Sequence, residues 1–209
     1  MSLNKLENLL ESNPSYQKLT CLLNGNLTTV KTQVPDEAIP FLLSTLSRKI
    51  KSHILVITPK PQEARQLYQQ LLIWNSNKSS PLLFPENDTL PFERLVTDSN
   101  TTHQRLQTLS ALISSNDSPI IVVASTTAIS QKTLDKHSFE RNHRTIAPGE
   151  QINVDETVKS WQQIGYQFES TVDVPGTASR RGGILDIFPP SSQLPIRIEL
   201  YGSNIETIR

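Results

Sequence analysis

With one cysteine, Cys21, among 209 residues, no disulfide can form within the chain, and such usage fits a reducing compartment. Charge of one sign is missing too: 20 Lys/Arg balance 20 Asp/Glu, so no global field draws the molecule to nucleic acid. The balance holds locally, because residues 141–209 carry seven basic and eight acidic side chains. No apolar run approaches the roughly 20 residues that span a bilayer. Asn4, Lys5, Glu7, Asn8 and Glu11 break up the N-terminus, which leaves no apolar core for a signal peptide. These absences point to a cytoplasmic protein without membrane contact. Glycine is scarce at seven residues, and none of the seven precedes a lysine. This excludes the G-x-x-x-x-G-K-[ST] loop, whose backbone amides, lysine and hydroxyl hold phosphate and Mg²⁺. Leu22–Thr29, where such a loop is expected, has one glycine, and the nearby Lys31-Thr32 lacks a glycine frame.

What is present suits one large or two modest globular domains: 36% hydrophobic and 19% charged residues. Apolar spacing predicts a helix over Leu3–Glu11, strand and loop over Leu19–Val30, and a helix from Asp36 through Ile50. His53–Thr58 and Pro119–Ala124 are nearly continuous apolar runs, the pattern of strands buried on both faces. Between them lie a helix over Gln62–Trp74, with Ala64, Leu67, Leu71 and Leu72 inward, a short strand Leu82–Phe84, a loop over Asp88–Thr97 and a helix over Thr102–Ile113. Alternating strands and helices predict, for residues 1–142, an α/β domain of RecA-like type: a parallel sheet covered by helices, without a phosphate loop. Ser125-Thr126-Thr127 suits a strand end and helix cap. The four histidines show no i,i+4 pair, and one cysteine gives no zinc framework. Ala147-Pro148-Gly149-Glu150 marks a boundary. Residues 143–209 then read as a small α+β domain, with a helix near Val154–Ile164 stopped by Gly165 and strands from Tyr166 onward.

In Ile196-Arg197-Ile198-Glu199-Leu200-Tyr201, apolar and polar residues alternate strictly, so one face meets a core and the other is wet. Arg and Tyr are enriched in interface hot spots. The preceding run, Arg181-Gly182-Gly183-Ile184-Leu185-Asp186-Ile187, sets Asp186 out of phase with its apolar neighbours, and its glycines permit a bulge or close backbone approach. If the two strands pair, Arg181, Asp186, Arg197, Glu199 and Tyr201 share one patch. That patch is either a partner-binding surface or a solvated face knit by cross-strand ion pairs.

Residues 174–189, Val-Pro-Gly-Thr-Ala-Ser-Arg-Arg-Gly-Gly-Ile-Leu-Asp-Ile-Phe-Pro, resemble the R-G-G-[IL]-[LV]-D-[IL]-F-P signature of the bacterial transcription-repair coupling factors, a module shared with the excision-repair helicase subunit UvrB. Leu194–Tyr201, Ile205–Arg209, Leu83–Glu93 and Ile120–Ile129 resemble further segments of that family in the same order. The resemblance implies a noncatalytic adaptor that docks the damage-recognition protein UvrA through Arg181, Arg197 and Tyr201, with Arg180 and Glu199 as neighbouring charges. Tyr201 stands where the family often has Phe; both are aromatic anchors. The absent phosphate loop separates the chain from UvrB, which leaves a piece of an ATP-dependent helicase with an unconventional nucleotide or DNA site as the alternative. The resemblance further implies an N-terminal part of a longer translocase, ending before the small domain's last elements. ATP, Mg²⁺, RNA polymerase and double-stranded DNA belong to the rest of that protein, and no cofactor belongs to this part.

Overall fold

A computed structural model describes residues 6, 9–25, 29–50, 52–74, 80–87, 99–114 and 119–209. Two compact units emerge: residues 1–84 with 115–129, and residues 85–114 with 130–209. The helix expected over Leu3–Glu11 and the loop over Asp88–Thr97 lie largely or wholly outside the described residues.

The first unit holds a parallel three-stranded sheet of order β1-β3-β2, formed by β1 (Ile54–Thr58), β2 (Leu82–Phe84) and β3 (Ile121–Ser125). Ile54 pairs with Ile121, and Leu82 with Val122. Helices α2 (Ile39–Lys49) and α3 (Pro61–Trp74) flank it. Ala64 and Leu71 of α3 close the core on Leu83, Ile121 and Val123, with Leu43 of α2 packed at its margin. Each helix carries a proline in its first turn, Pro40 in α2 and Pro61 in α3, where its fixed φ and missing N–H are tolerated. The α/β class with helices on a parallel sheet is as the sequence predicts.

Three local expectations are corrected. The strand expected at the head of Leu19–Val30 is helix: Leu19–Leu23 belong to α1 (Pro14–Leu23), capped by Asn13, whose side chain accepts from the Ser15 N–H at 2.9 Å, and residues 26–28 lie outside the described residues. The Asn-Pro pair is an N-cap followed by N1 proline, a signal outweighed by sparse apolar spacing. Strand β1 is not buried on both faces, since Leu55 and Ile57 remain 55% and 53% exposed. It is an edge strand, whereas β3 sits centrally and is buried throughout. Leu72 is exposed rather than inward. The cap beyond β3 forms as expected: Ser125 Oγ accepts from the Ala128 N–H at 3.1 Å and opens α5 (Thr126–Ser130).

The second unit contains α4 (Ser99–Ser114), α6 (Lys136–Asn142), α7 (Val154–Gln163) and a five-stranded sheet of order β4-β5-β6-β7-β8. Its strands are β4 (Gln167–Phe168), β5 (Thr177–Arg181), β6 (Ile184–Ile187), β7 (Ile196–Tyr201) and β8 (Asn204–Ile208). Only the β4–β5 pair is parallel. Asn153 caps α7 by accepting from the Asp155 and Glu156 N–H groups. That helix lays Val154, Val158 and Trp161 on a core of Ile152, Ala178, Leu185, Ile187, Ile198 and Ile205. Tyr166 joins the same packing, and burial pushes its hydroxyl pKa up to about 12. Because α7 covers one face, the residues alternating with that core are presented on the other.

Candidate partner-binding surface

The outer face of the five-stranded sheet is built by register. Directly opposed residues of antiparallel strands share a face. Ser179 opposes Asp186, Asp186 opposes Arg197, and Arg197 exchanges both backbone hydrogen bonds with Arg209. The adjacent row runs Arg181, Ile184, Glu199 and Thr207. A shift between Glu199 and Leu200 marks a bulge in the β7–β8 ladder, beyond which Tyr201 opposes Asn204. At 81% exposure, Tyr201 stands clear of the sheet as an uncovered aromatic ring.

The strands meet through a turn that the sequence places only loosely. Arg181 pairs with Ile184, so Gly182-Gly183 is the loop of a two-residue hairpin. Gly182 has φ +60, a left-handed conformation costly to other residues. Gly183 fills a different need, since a Cβ there would lie 2.9 Å from the Leu200 carbonyl oxygen. The close backbone approach is therefore real, while the bulge falls in the β7–β8 ladder, with Glu206 as the extra residue on β8.

Ion pairs organise the face. Arg197 donates from Nε to Asp186 Oδ1 at 2.7 Å and from Nη2 to Oδ2 at 2.8 Å, a bidentate fork. The Arg197 side chain keeps 46% exposure against 15% for Asp186, so the carboxylate is a half-buried foot and the guanidinium the displayed head. Arg181 donates to the Ser170 carbonyl. Glu199 accepts from Thr207 Oγ1 at 2.8 Å and from Arg209. The cross-strand ion pairs of the second reading are thus present, and on the same face the Arg197 head and the Tyr201 ring stay exposed.

Arg181, Arg197, Glu199 and Tyr201 come together on this face, but Arg180 does not. It opposes Leu185 on the core-facing side, where it donates to Asp155 Oδ1 of α7 at 2.6 Å. Period two in β5 dictates that adjacent arginines point oppositely. An open cleft of about 370 Å³ lies on the outer face, with Ser170, Asp173, Arg181, Asp186, Arg197 and Arg209 in its lining. Sequence reasoning gave Arg209 no role; its phase with Thr207 across Ile208 was the available signal.

The fork from Arg197 holds the Asp186 carboxyl below the usual carboxylate range, against an opposing effect of burial. The same bond raises the Arg197 pKa. Since the folded state depresses the Asp186 pKa, the folded state binds this proton less readily than the unfolded chain. Its stabilisation is therefore complete above the ordinary carboxylate range and disappears as pH falls through the depressed folded value. Urea unfolding measured from neutral to strongly acidic pH should show this dependence weakened in Asp186→Asn. An unchanged pH profile in that variant would remove Asp186 from the account.

Residues 145–209 match the family model described as the UvrB interaction domain. The transcription-repair-coupling factor of Bacillus subtilis (strain 168) is 30% identical over 166 residues, covering 79% of this chain and 14% of that protein. Its counterpart from Staphylococcus aureus (strain NCTC 8325 / PS 47) is 29% identical over 205 residues, 98% of this chain and 17% of that protein. The chain therefore spans 14–17% of the length of these curated relatives.

Proposed function

We propose, for a chain that belongs to the transcription-repair-coupling factor family along the length it shares with those proteins, that its outer sheet face is the adaptor surface for UvrA in transcription-coupled excision repair. The observation carrying this reading is the bidentate Arg197–Asp186 fork on the strand that also displays the exposed Tyr201, within the segment that matches the UvrB interaction domain. A guanidinium held by a more buried carboxylate loses less side-chain freedom on binding than a free arginine, so more of its contact energy becomes affinity. Arg181 and Tyr201 complete the contact, with Glu199 as a charge of the same face; Arg180, paired with Asp155 on the opposite face, takes no part in it. The adaptor domain occupies residues 143–209 and follows an α/β domain over residues 1–142. Work with RNA polymerase, double-stranded DNA, ATP and Mg²⁺ belongs to the parts of the relatives outside this chain, and this part acts in the cytoplasm without a cofactor. The near-zero net charge supports a protein partner over a polyanionic one.

Calorimetric titration of the chain with UvrA tests the reading. Saturable binding is expected, weakened at least tenfold, about 1.4 kcal/mol, in Arg197→Ala and in Arg181→Ala. Absence of binding by the folded wild-type chain, or full affinity in both folded variants, would overturn it.

A further inference from the structure

The cleft beneath the outer face has a charge arrangement that identifies what enters it. Three guanidinium groups, Arg181, Arg197 and Arg209, line it from three strands or strand ends, together with Asp173 and Asp186. Arg197 is committed to Asp186 through two of its donors, and Arg209 to Glu199. Each guanidinium has five N–H donors in a fixed planar fork, so both retain donors after forming these pairs. Arg181 differs, because its described hydrogen bond goes to a neutral acceptor, the Ser170 carbonyl. Arg181 is therefore the guanidinium of the lining whose described hydrogen bond leaves its charge unpaired by a direct carboxylate bond, with Arg197 and Arg209 in the same lining.

Within the lining, three guanidiniums face two carboxylates, Asp173 and Asp186, an excess of one positive charge. A phosphodiester backbone, with one charge every few ångströms, brings more negative charge than this single excess can match and gains little net attraction. A single carboxylate entering the cleft matches that one excess charge and meets the donors that Arg197 and Arg209 retain beside Arg181. We infer that this cleft is a subsite for one acidic side chain of the protein partner, and that Arg209 is a specificity-determining wall of it. The inference deepens the proposed UvrA-binding role and rests on it for the partner's identity; the carboxylate chemistry rests on the cleft alone.

Two measurements on the full chain separate the two dependences. In the first, the arginine Nε–H resonances are followed by NMR during titration with N-acetyl-glutamate amide. Saturable shifts at Arg181, Arg197 and Arg209 are expected, and they should be lost in Arg209→Gln and partly restored in Arg209→Lys. In the second, Arg209→Gln should weaken UvrA binding about fivefold, the upper end for a partly exposed charge pair, and flatten its salt dependence. If Arg209→Gln binds UvrA like wild type while Arg197→Ala is weakened, the subsite inference fails and the adaptor reading stands. If wild type ignores UvrA yet shows the saturable carboxylate shifts, the partner reading fails and the subsite stands. Absence of those shifts, or equal shifts with duplex DNA, overturns the subsite.

Discussion

Leu185→Ala is expected to lower the unfolding free energy of the second unit by about 2–5 kcal/mol, the range for removing a large aliphatic side chain from a packed core. Leu185 is fully buried at the middle of β6, opposite Ile198 on β7 and Arg180 on β5. Ile187, Ile198 and Ile205 belong to the same cluster, which α7 covers from one side only. A sheet roofed by one ten-residue helix has few ways to collapse into the resulting space, so the cavity cost adds to the lost transfer energy. Urea unfolding monitored by Trp161 fluorescence, in a Trp74→Phe background, would report this unit, because Trp161 packs on the core. A loss below about 1 kcal/mol would mean that the sheet repacks freely. The prediction bears on function because the cluster sets the register that opposes Asp186 to Arg197. A loosened core should weaken the outer face without any change to a displayed residue.

Much of that face is legible in the sequence because period two is a strong local signal. Ile196, Ile198 and Leu200 alternate with Arg197, Glu199 and Tyr201, and Asp186 interrupts its apolar run in phase with the same face. The pairing of β6 with β7 follows from the short Pro/Ser connection between them. Arg180 misleads for the opposite reason. Adjacent basic residues look equivalent in a charge inventory, but a strand sends them to opposite faces, and Arg180 meets Asp155 of α7. Arg209 is hidden because its contribution depends on β8 lying beside β7, a tertiary fact. In the first unit, β1 and β3 look alike as apolar runs, and only the strand order distinguishes the edge from the centre. The helix at Pro14–Leu23 shows a related limit, in that cap chemistry at Asn13-Pro14 marks a start that hydrophobic spacing does not.

Gly183→Ala is expected to cost about 1–3 kcal/mol, as insertion of a methyl group into a filled space does, and to weaken partner binding as well. The added Cβ would meet the Leu200 carbonyl oxygen at 2.9 Å. Its obstacle is strand backbone, which cannot turn aside as the end of a flexible side chain can. The Leu200 N–H donates to the Gly183 carbonyl at 2.8 Å at the same place, so separating the strands also stretches this bond. Leu200 directly follows the bulge and directly precedes Tyr201. Displacing it shifts the aromatic ring relative to Arg181 and Arg197 and leaves all three side chains chemically intact. Gly182→Ala should destabilise the hairpin by a different route, because φ +60 strains any residue with a Cβ although nothing lies within 4 Å of that position. Unfolding and UvrA titrations of both variants distinguish the causes. If the close approach fixes the face, Gly183→Ala loses more affinity than Gly182→Ala at comparable stability. Equal affinities would assign both glycines to the turn alone and leave the placement of Tyr201 to the β7–β8 bulge.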